Sequence, residues 1–166
     1  MTIINKRRFV VVAAIALLGA VVAIGGLPQR SEAGGDWNDS GIQWQPYKEG
    51  LAAAKEQKKP VCLVFYTDWC PHCQKYSGVF HDPAVMEESK KFVMIRLNKD
   101  ENAEVSAKYA PDGEYIPRTF LLSPGGELEA DITEQRPNYK YFYDTANPAG
   151  VLRAMETASK KYPGAS

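Results

Sequence analysis

A pair of cysteines separated by two residues, Cys70 and Cys73, constrains the fold of this chain most strongly. The pair directly follows an apolar, β-rich run, residues 61–67, and directly precedes a helical pattern. This arrangement predicts that Cys70 lies in the first turn of a helix at the exit of a buried strand. The unpaired N–H groups and partial positive charge of a helix N-terminus stabilise a thiolate, the form of cysteine that attacks disulfides. A C-x-x-C pair at such a junction indicates a redox-active dithiol.

Other roles for the two cysteines are less consistent with the sequence. A structural disulfide across so short a loop would stabilise the fold little, because it restricts little of the unfolded chain's entropy. A zinc site would need two more ligands, and the chain has only two histidines, His72 and His81, and no second C-x-x-C pair. Haem attachment requires histidine directly after the second cysteine, where this chain has Gln74. We therefore predict a redox pair and no metal ligands.

The composition is that of an ordinary globular domain, with 45% apolar and 24% charged residues among 166. A chain of this length can bury one substantial core. The formal net charge of zero gives no reason to expect a nucleic acid partner. Three cysteines are too few for a disulfide scaffold, and the third, Cys62, is predicted to be a small buried residue of the first apolar strand. We expect a monomer.

The first 33 residues have the pattern of a secretory signal peptide. A basic segment, residues 6–8, precedes an uncharged apolar stretch, residues 9–27, and a polar region that ends in small residues suited to cleavage. The apolar stretch approaches the length of a membrane span, so an uncleaved anchor in the inner membrane is the alternative. In both cases the basic flank predicts export to the periplasm or another extracytoplasmic space, where disulfides are stable. Cleavage would remove four basic residues and one acidic residue, which leaves a net charge of about −3.

After the signal peptide, we predict a linker at 34–43, a folded domain at 44–162 and a tail at 163–166. The folded part alternates strands and helices, which predicts an α/β fold with a mixed central sheet and helices on both faces. The predicted helices cover residues 47–58, 73–80, 84–91, 103–109 and 149–162. The predicted strands cover residues 61–66, 92–97 and 118–122, with a hairpin partner at 127–132 and an irregular aromatic segment at 136–142.

Several stretches of this sequence carry a family resemblance. With the cysteine motif at 69–73 after the first apolar strand and an Ile–Pro pair at 116–117 before the predicted hairpin, residues 44–162 resemble the thioredoxin superfamily. The stretches PDGEYIPR at 111–118, LSPGG at 122–126 and YKYFY at 139–143 resemble the small single-domain thioredoxin-like proteins of the endoplasmic reticulum, which include the anterior-gradient proteins. The signal peptide, and a C-terminus without a retention tetrapeptide, are more similar to a bacterial secreted relative.

The resemblance implies a thioredoxin fold and a role for each matching residue. Cys70 would be the attacking cysteine and Cys73 the resolving one. Pro117 would be a cis-proline that faces the disulfide, and with Ile116 it would present backbone to a bound peptide. Trp69 would flank the active site. The resemblance thus implies that the catalytic residues are the two cysteines and that the other three bind substrate.

The dipeptide between the cysteines, Pro71-His72, resembles that of bacterial periplasmic oxidases and differs from the Gly-Pro of reducing thioredoxins. A positive charge or hydrogen-bond donor on His72 would stabilise the Cys70 thiolate and make the disulfide a stronger oxidant. The chain departs from the family at Val64, where thioredoxins place a buried acid that helps to move protons to the resolving thiol. It also has no room for the large helical insertion of the periplasmic oxidases.

These features lead us to expect a secreted thiol:disulfide oxidoreductase that exchanges disulfides with protein or peptide substrates and needs no cofactor. A membrane redox protein is a candidate electron partner. The rival hypothesis is a non-catalytic peptide-binding or chaperone module of the same fold, as implied by anterior-gradient relatives that lack the second cysteine. The intact cysteine pair favours the enzyme. The direction of the reaction, as oxidase, reductase or isomerase, stays open.

Overall fold

The computed structural model describes residues 35–164, so the predicted signal peptide at 1–33 lies outside the described residues. The strands are β1 (Trp44–Gln45), β2 (Val61–Tyr66), β3 (Val93–Asn98) and β4 (Arg118–Leu122). The helices are α1 (Tyr47–Gln57), α2 (Pro71–Ser77), α3 (Pro83–Ser89), α4 (Ala103–Lys108) and α5 (Ala149–Lys161), with a 3₁₀ turn, Gly78–His81, directly after α2. Within residues 35–164, no helix combines the length and the apolar character needed to cross a membrane.

The four strands form one mixed sheet in the order β1-β3-β2-β4. β2 pairs with β3 in parallel and with β4 antiparallel, so Val64 lies opposite Arg96 on one side and Thr119 on the other. The first five residues of β2 are fully buried, as expected for a central strand covered on both faces. The prediction of a mixed sheet with this strand at its centre is confirmed.

Successive side chains of β2 point to opposite faces of the sheet and enter two separate cores. Cys62 and Val64 pack in the core that α2, α3 and α5 cover, which we call the cysteine core because it also contains Cys70 and Cys73. Leu63 and its alternate neighbours pack on the other face, beneath α1 and α4. The predicted arrangement of helices on both faces is confirmed, and it places the cysteine pair at the end of the central strand.

The predicted hairpin partner at 127–132 is wrong, because this segment forms only an isolated bridge between Leu122 and Leu128. After Glu129 donates its N–H to the Leu121 carbonyl, the chain turns away from the sheet. Farther along β4, Thr119 donates its N–H to the carbonyl of Tyr141. The outer edge of β4 is therefore covered by two separate pieces of irregular chain, which satisfy its backbone groups without a fifth strand.

The segment 34–43, which we predicted to be a linker, contributes two buried side chains to the cysteine core. Trp37 is 3% exposed and Ile42 is 2% exposed. The Trp37 ring packs against Tyr66 and Phe80 with centroid distances of 5.2 and 5.6 Å. The folded domain therefore begins before Trp44, because these residues bury a tryptophan that a polar linker would leave in water.

Candidate active site

The cysteine pair lies where β2 passes into α2. Cys70 is the N-cap residue of α2, with an extended backbone, and its Sγ accepts a hydrogen bond from the Cys73 N–H at 3.2 Å. Pro71 occupies the first turn of the helix, where its fixed backbone angle suits the helix and its missing N–H costs nothing. The sequence prediction that Cys70 starts this helix is confirmed. The cap places the sulfur within hydrogen-bond distance of a backbone N–H of the first turn.

The two cysteines differ in their surroundings, although both are free thiols in this structure. Cys70 is 4% exposed, whereas Cys73 is completely buried. Burial raises the pKa of the Cys73 thiol well above its usual range, and the side-chain hydrogen bond with Cys70 raises it further, although the Thr67 backbone acts in the opposite direction. Cys73 is therefore held as a thiol beneath Cys70, which is the sulfur nearer to the surface.

Trp69, a predicted substrate-binding residue, is one of two large hydrophobic side chains that the described residues expose, at 69%. Its indole Nε1–H donates to the Asp100 carboxylate at 2.8 Å. The preceding Asp68 accepts a hydrogen bond from the Asn98 side chain at 3.2 Å. Asn98 at the end of β3 and Asp100 just beyond it thus hold Asp68 and the exposed Trp69, which directly precede Cys70.

The predicted cis bond between Ile116 and Pro117 is present in the structure. Pro117 is buried. Ile116 is half-buried and packs against both cores, including the one that contains the two cysteines. The contact supports the placement of this pair near the active site, and its role in binding substrate stays a prediction.

His72, the predicted tuning residue, is exposed and lies beside an aromatic residue of the segment that was predicted to be irregular. Its ring meets that of Phe142 edge-on, with a centroid distance of 5.9 Å. The Arg136 guanidinium lies over the same phenyl ring at 5.7 Å. The irregular segment between β4 and α5 therefore reaches the cysteine motif, a contact that no local sequence pattern indicates.

Arg118 is a second feature that the sequence does not predict. It lies at the start of β4 and is fully buried. Its guanidinium donates to the carbonyls of Tyr109 and Gly113, both at 2.9 Å, and to the Ser106 hydroxyl. It also lies over the Phe65 ring at 4.9 Å. This side chain ties the loop before the cis-proline to α4 and to the end of β2. A charged residue that opens an apolar strand was the only signal in the sequence.

The described residues contain no group of three or more histidine, cysteine or acidic side chains arranged to hold a metal ion. The chemistry that the site offers on its own is that of two sulfurs, one capping a helix and one buried. Such a pair can alternate between a dithiol and a disulfide.

Comparison with known proteins agrees with the fold. A family sequence model described as thioredoxin-like matches residues 43–124. Human anterior gradient protein 2 homolog is 34% identical over 136 residues, which cover 81% of this chain and 74% of the relative. The chain belongs to the thioredoxin superfamily. Anterior gradient protein 3 of Xenopus tropicalis is 33% identical over 125 residues, covering 74% of each chain.

Among solved structures, a thioredoxin from Thermus thermophilus superimposes with a TM-score of 0.57 at 25% identity, over 73% of this chain and 89% of the other. The predicted thioredoxin fold is therefore confirmed, as is the similarity to anterior gradient proteins.

Cys62, buried in β2, gives the stability of the fold a pH dependence that can be measured. Burial raises the pKa of this thiol from 9.0 to about 12. Because the folded pKa is raised, the stability associated with the neutral thiol is complete below about pH 9 and is lost as the pH rises towards 12. In the parent chain, the Cys62 thiol should lower the free energy of unfolding by up to about 1.4 kcal/mol for each pH unit across this window. We expect Cys62→Ala to abolish that contribution. Urea unfolding at several alkaline pH values measures the slope, and equal slopes in both proteins would contradict the assignment.

Proposed function

We propose that this chain is a thiol:disulfide oxidoreductase that acts on protein or peptide disulfides. One observation carries the proposal: Cys70 caps α2 and accepts the N–H of Cys73, while Cys73 lies fully buried in the first turn of the same helix. This asymmetry supports a division of roles in which Cys70 attacks and Cys73 resolves. The superfamily to which the chain belongs supports the same chemistry.

In the reductive direction, the Cys70 thiolate attacks one sulfur of a client disulfide, and the other client sulfur leaves and takes up a proton. Cys73 then loses its proton and attacks the Cys70 sulfur of the mixed disulfide. The second client sulfur leaves and is protonated in turn. Two electrons pass from the cysteine pair to the client, and Cys70 and Cys73 end as a disulfide. The reverse sequence oxidises a client dithiol.

The proposal is tested by the reduction of insulin with dithiothreitol as the electron source. We expect the purified chain to accelerate the precipitation of the insulin B chain, measured as turbidity, because the cysteine pair would cycle between dithiol and disulfide. A non-catalytic peptide-binding module would leave the rate at that of dithiothreitol alone, or would delay precipitation by holding the insulin chains. Either result would contradict the enzymatic proposal.

His72 is proposed to make the couple more oxidising by stabilising the reduced form. We expect replacement of Pro71-His72 by Gly-Pro to make the couple more reducing. The reduction potential should fall by about 30 mV for each 1.4 kcal/mol of stabilisation that the reduced form loses. Equilibration with glutathione buffers measures the potential. Lys75→Gln is the matched control, because it removes an exposed positive charge from the same helix. An unchanged potential, or an equal shift in the control, would exclude a specific effect of His72.

The proposed place of action is outside the cytoplasm, and it is supported by the signal pattern in residues 1–33. A membrane redox protein that renews one state of the cysteine pair is the proposed electron partner. Cell fractionation tests the location, and recovery of the chain only in the soluble cytoplasmic fraction would contradict it.

A further inference from the structure

Resolution of a mixed disulfide requires a negative charge on a sulfur that this fold buries completely. Burial, followed by the hydrogen bond with Cys70, holds the Cys73 pKa high, so the charged form needs stabilisation within the core. Val64 occupies the position of the family's buried acid, and it is fully buried and apolar. Among residues 35–164 the only buried carboxylate is Glu88, whose two oxygens accept hydrogen bonds from Ser159 and Lys91. No buried acid is therefore available to Cys73 in the described part of the chain.

The other ionisable groups of the cysteine core do not replace that acid near neutral pH. These groups are Cys62, Tyr76 and Tyr143. Burial raises the pKa of each of them, so all three remain protonated. The stabilisation of a Cys73 thiolate must then come from neutral hydrogen-bond donors.

Thr67, the residue directly after β2, supplies such donors. It is completely buried, and its Oγ1 has no hydrogen-bond partner among the described residues. Its backbone already serves the active site, because its carbonyl accepts the Cys70 N–H at 3.4 Å and its N–H favours the charged form of Cys73. A buried hydroxyl without a partner destabilises the folded dithiol state. The presence of a hydroxyl at this position is explained if the hydroxyl gains a hydrogen-bond partner in another state of the reaction.

We propose that Thr67 is a positioning residue for the resolving step, in which its hydroxyl donates a hydrogen bond to the charged Cys73 sulfur. The inference rests on the proposed function. In this step the S–H bond of Cys73 breaks, a sulfur–sulfur bond to Cys70 forms, and the bond from Cys70 to the client sulfur breaks. The leaving client sulfur takes up one proton, so the step conserves charge, and two electrons pass to that sulfur. Thr67 lowers the energy of the charged intermediate and is itself unchanged.

The reaction of the reduced chain with 5,5′-dithiobis(2-nitrobenzoate) separates the two steps in one stopped-flow trace. Attack by Cys70 releases a first equivalent of coloured thiolate, and resolution by Cys73 releases a second. We expect Thr67→Val, which keeps the side-chain shape, to slow the second phase at least about tenfold, because hydrogen bonds to charged groups are the stronger ones. The first phase should keep its rate, and the pH profile of the second phase should move to higher pH. Thr67→Ser, which retains the hydroxyl, should restore most of the rate.

Tyr143→Phe is the matched control, because the Tyr143 hydroxyl is also buried in the cysteine core without a partner among residues 35–164. Both Thr67→Val and Tyr143→Phe should unfold at urea concentrations no lower than the parent, since each removes an unsatisfied hydroxyl. Only Thr67→Val should slow resolution. A normal second phase in Thr67→Val, or equal slowing in Tyr143→Phe, would overturn the role of Thr67. Failure of the parent chain to show two phases would instead overturn the proposed function.

Discussion

Replacing Cys70 with serine is expected to reduce disulfide exchange to the uncatalysed rate. Serine keeps the shape of the N-cap and can accept the Cys73 N–H, so α2 should remain folded. The variant loses the only sulfur of the motif that lies near the surface, and the remaining Cys73 is buried and held as a thiol. Insulin reduction measures the loss, and circular dichroism checks that the fold is intact.

The reciprocal variant, Cys73→Ser, is expected to accumulate mixed disulfides through Cys70, because the first attack proceeds and the resolving sulfur is absent. Non-reducing electrophoresis after incubation with a disulfide-bonded client reports the trapped complexes. Cys62→Ser is the control, since Cys62 is buried in β2 outside the motif and should trap none. Equal trapping by the Cys70 and Cys73 variants would contradict the assignment of roles.

Replacing Trp37 with alanine is expected to lower the free energy of unfolding by about 3–5 kcal/mol, the usual range for large aromatic residues removed from a core. Trp37 is 3% exposed, and its ring lies within 6.3 Å, centroid to centroid, of those of Trp44, Tyr66, Tyr76 and Phe80. The Arg96 guanidinium also lies over it at 5.5 Å. The substitution would leave a cavity where five side chains now meet.

Urea unfolding of Trp37→Ala measures this loss, and Trp69→Ala provides the comparison. Both variants remove an indole, but Trp69 is 69% exposed and buries little apolar surface. We expect the second variant to change the unfolding free energy by less than about 1 kcal/mol. A similarly small effect at Trp37 would restore the interpretation of residues 34–43 as a linker.

The sequence predicts those elements that depend on local signals. β2 was predicted with its observed bounds because a continuous apolar run between proline and the cysteine motif leaves few alternatives. Asp82 and Pro83 likewise marked the start of α3, where the Asp82 side chain accepts the N–H groups of Ala84 and Val85. β4 was also predicted with its observed bounds.

The features that sequence analysis missed depend on contacts between distant parts of the chain. β1 is only two residues long and exists because Trp44 and Gln45 pair with β3. Trp37 likewise depends on distant residues, because side chains from β2 and from the turn after α2 bury it. Phe142 meets His72 across 70 positions of sequence. Residue type and periodicity carry no information about such pairings.

The covered edge of β4 has a consequence for how this protein behaves at high concentration. Backbone groups of Thr119, Leu121 and Ser123 along that edge already bond to residues 141, 129 and 127. At the opposite edge, β1 offers a single pair of residues. Within residues 35–164, a neighbouring copy therefore finds no long row of open N–H and carbonyl groups on either side of the sheet, which is the usual template for strand-to-strand aggregation. A fold protected in this way can meet unfolded chains, whose own strands are exposed, without being drawn into their aggregates.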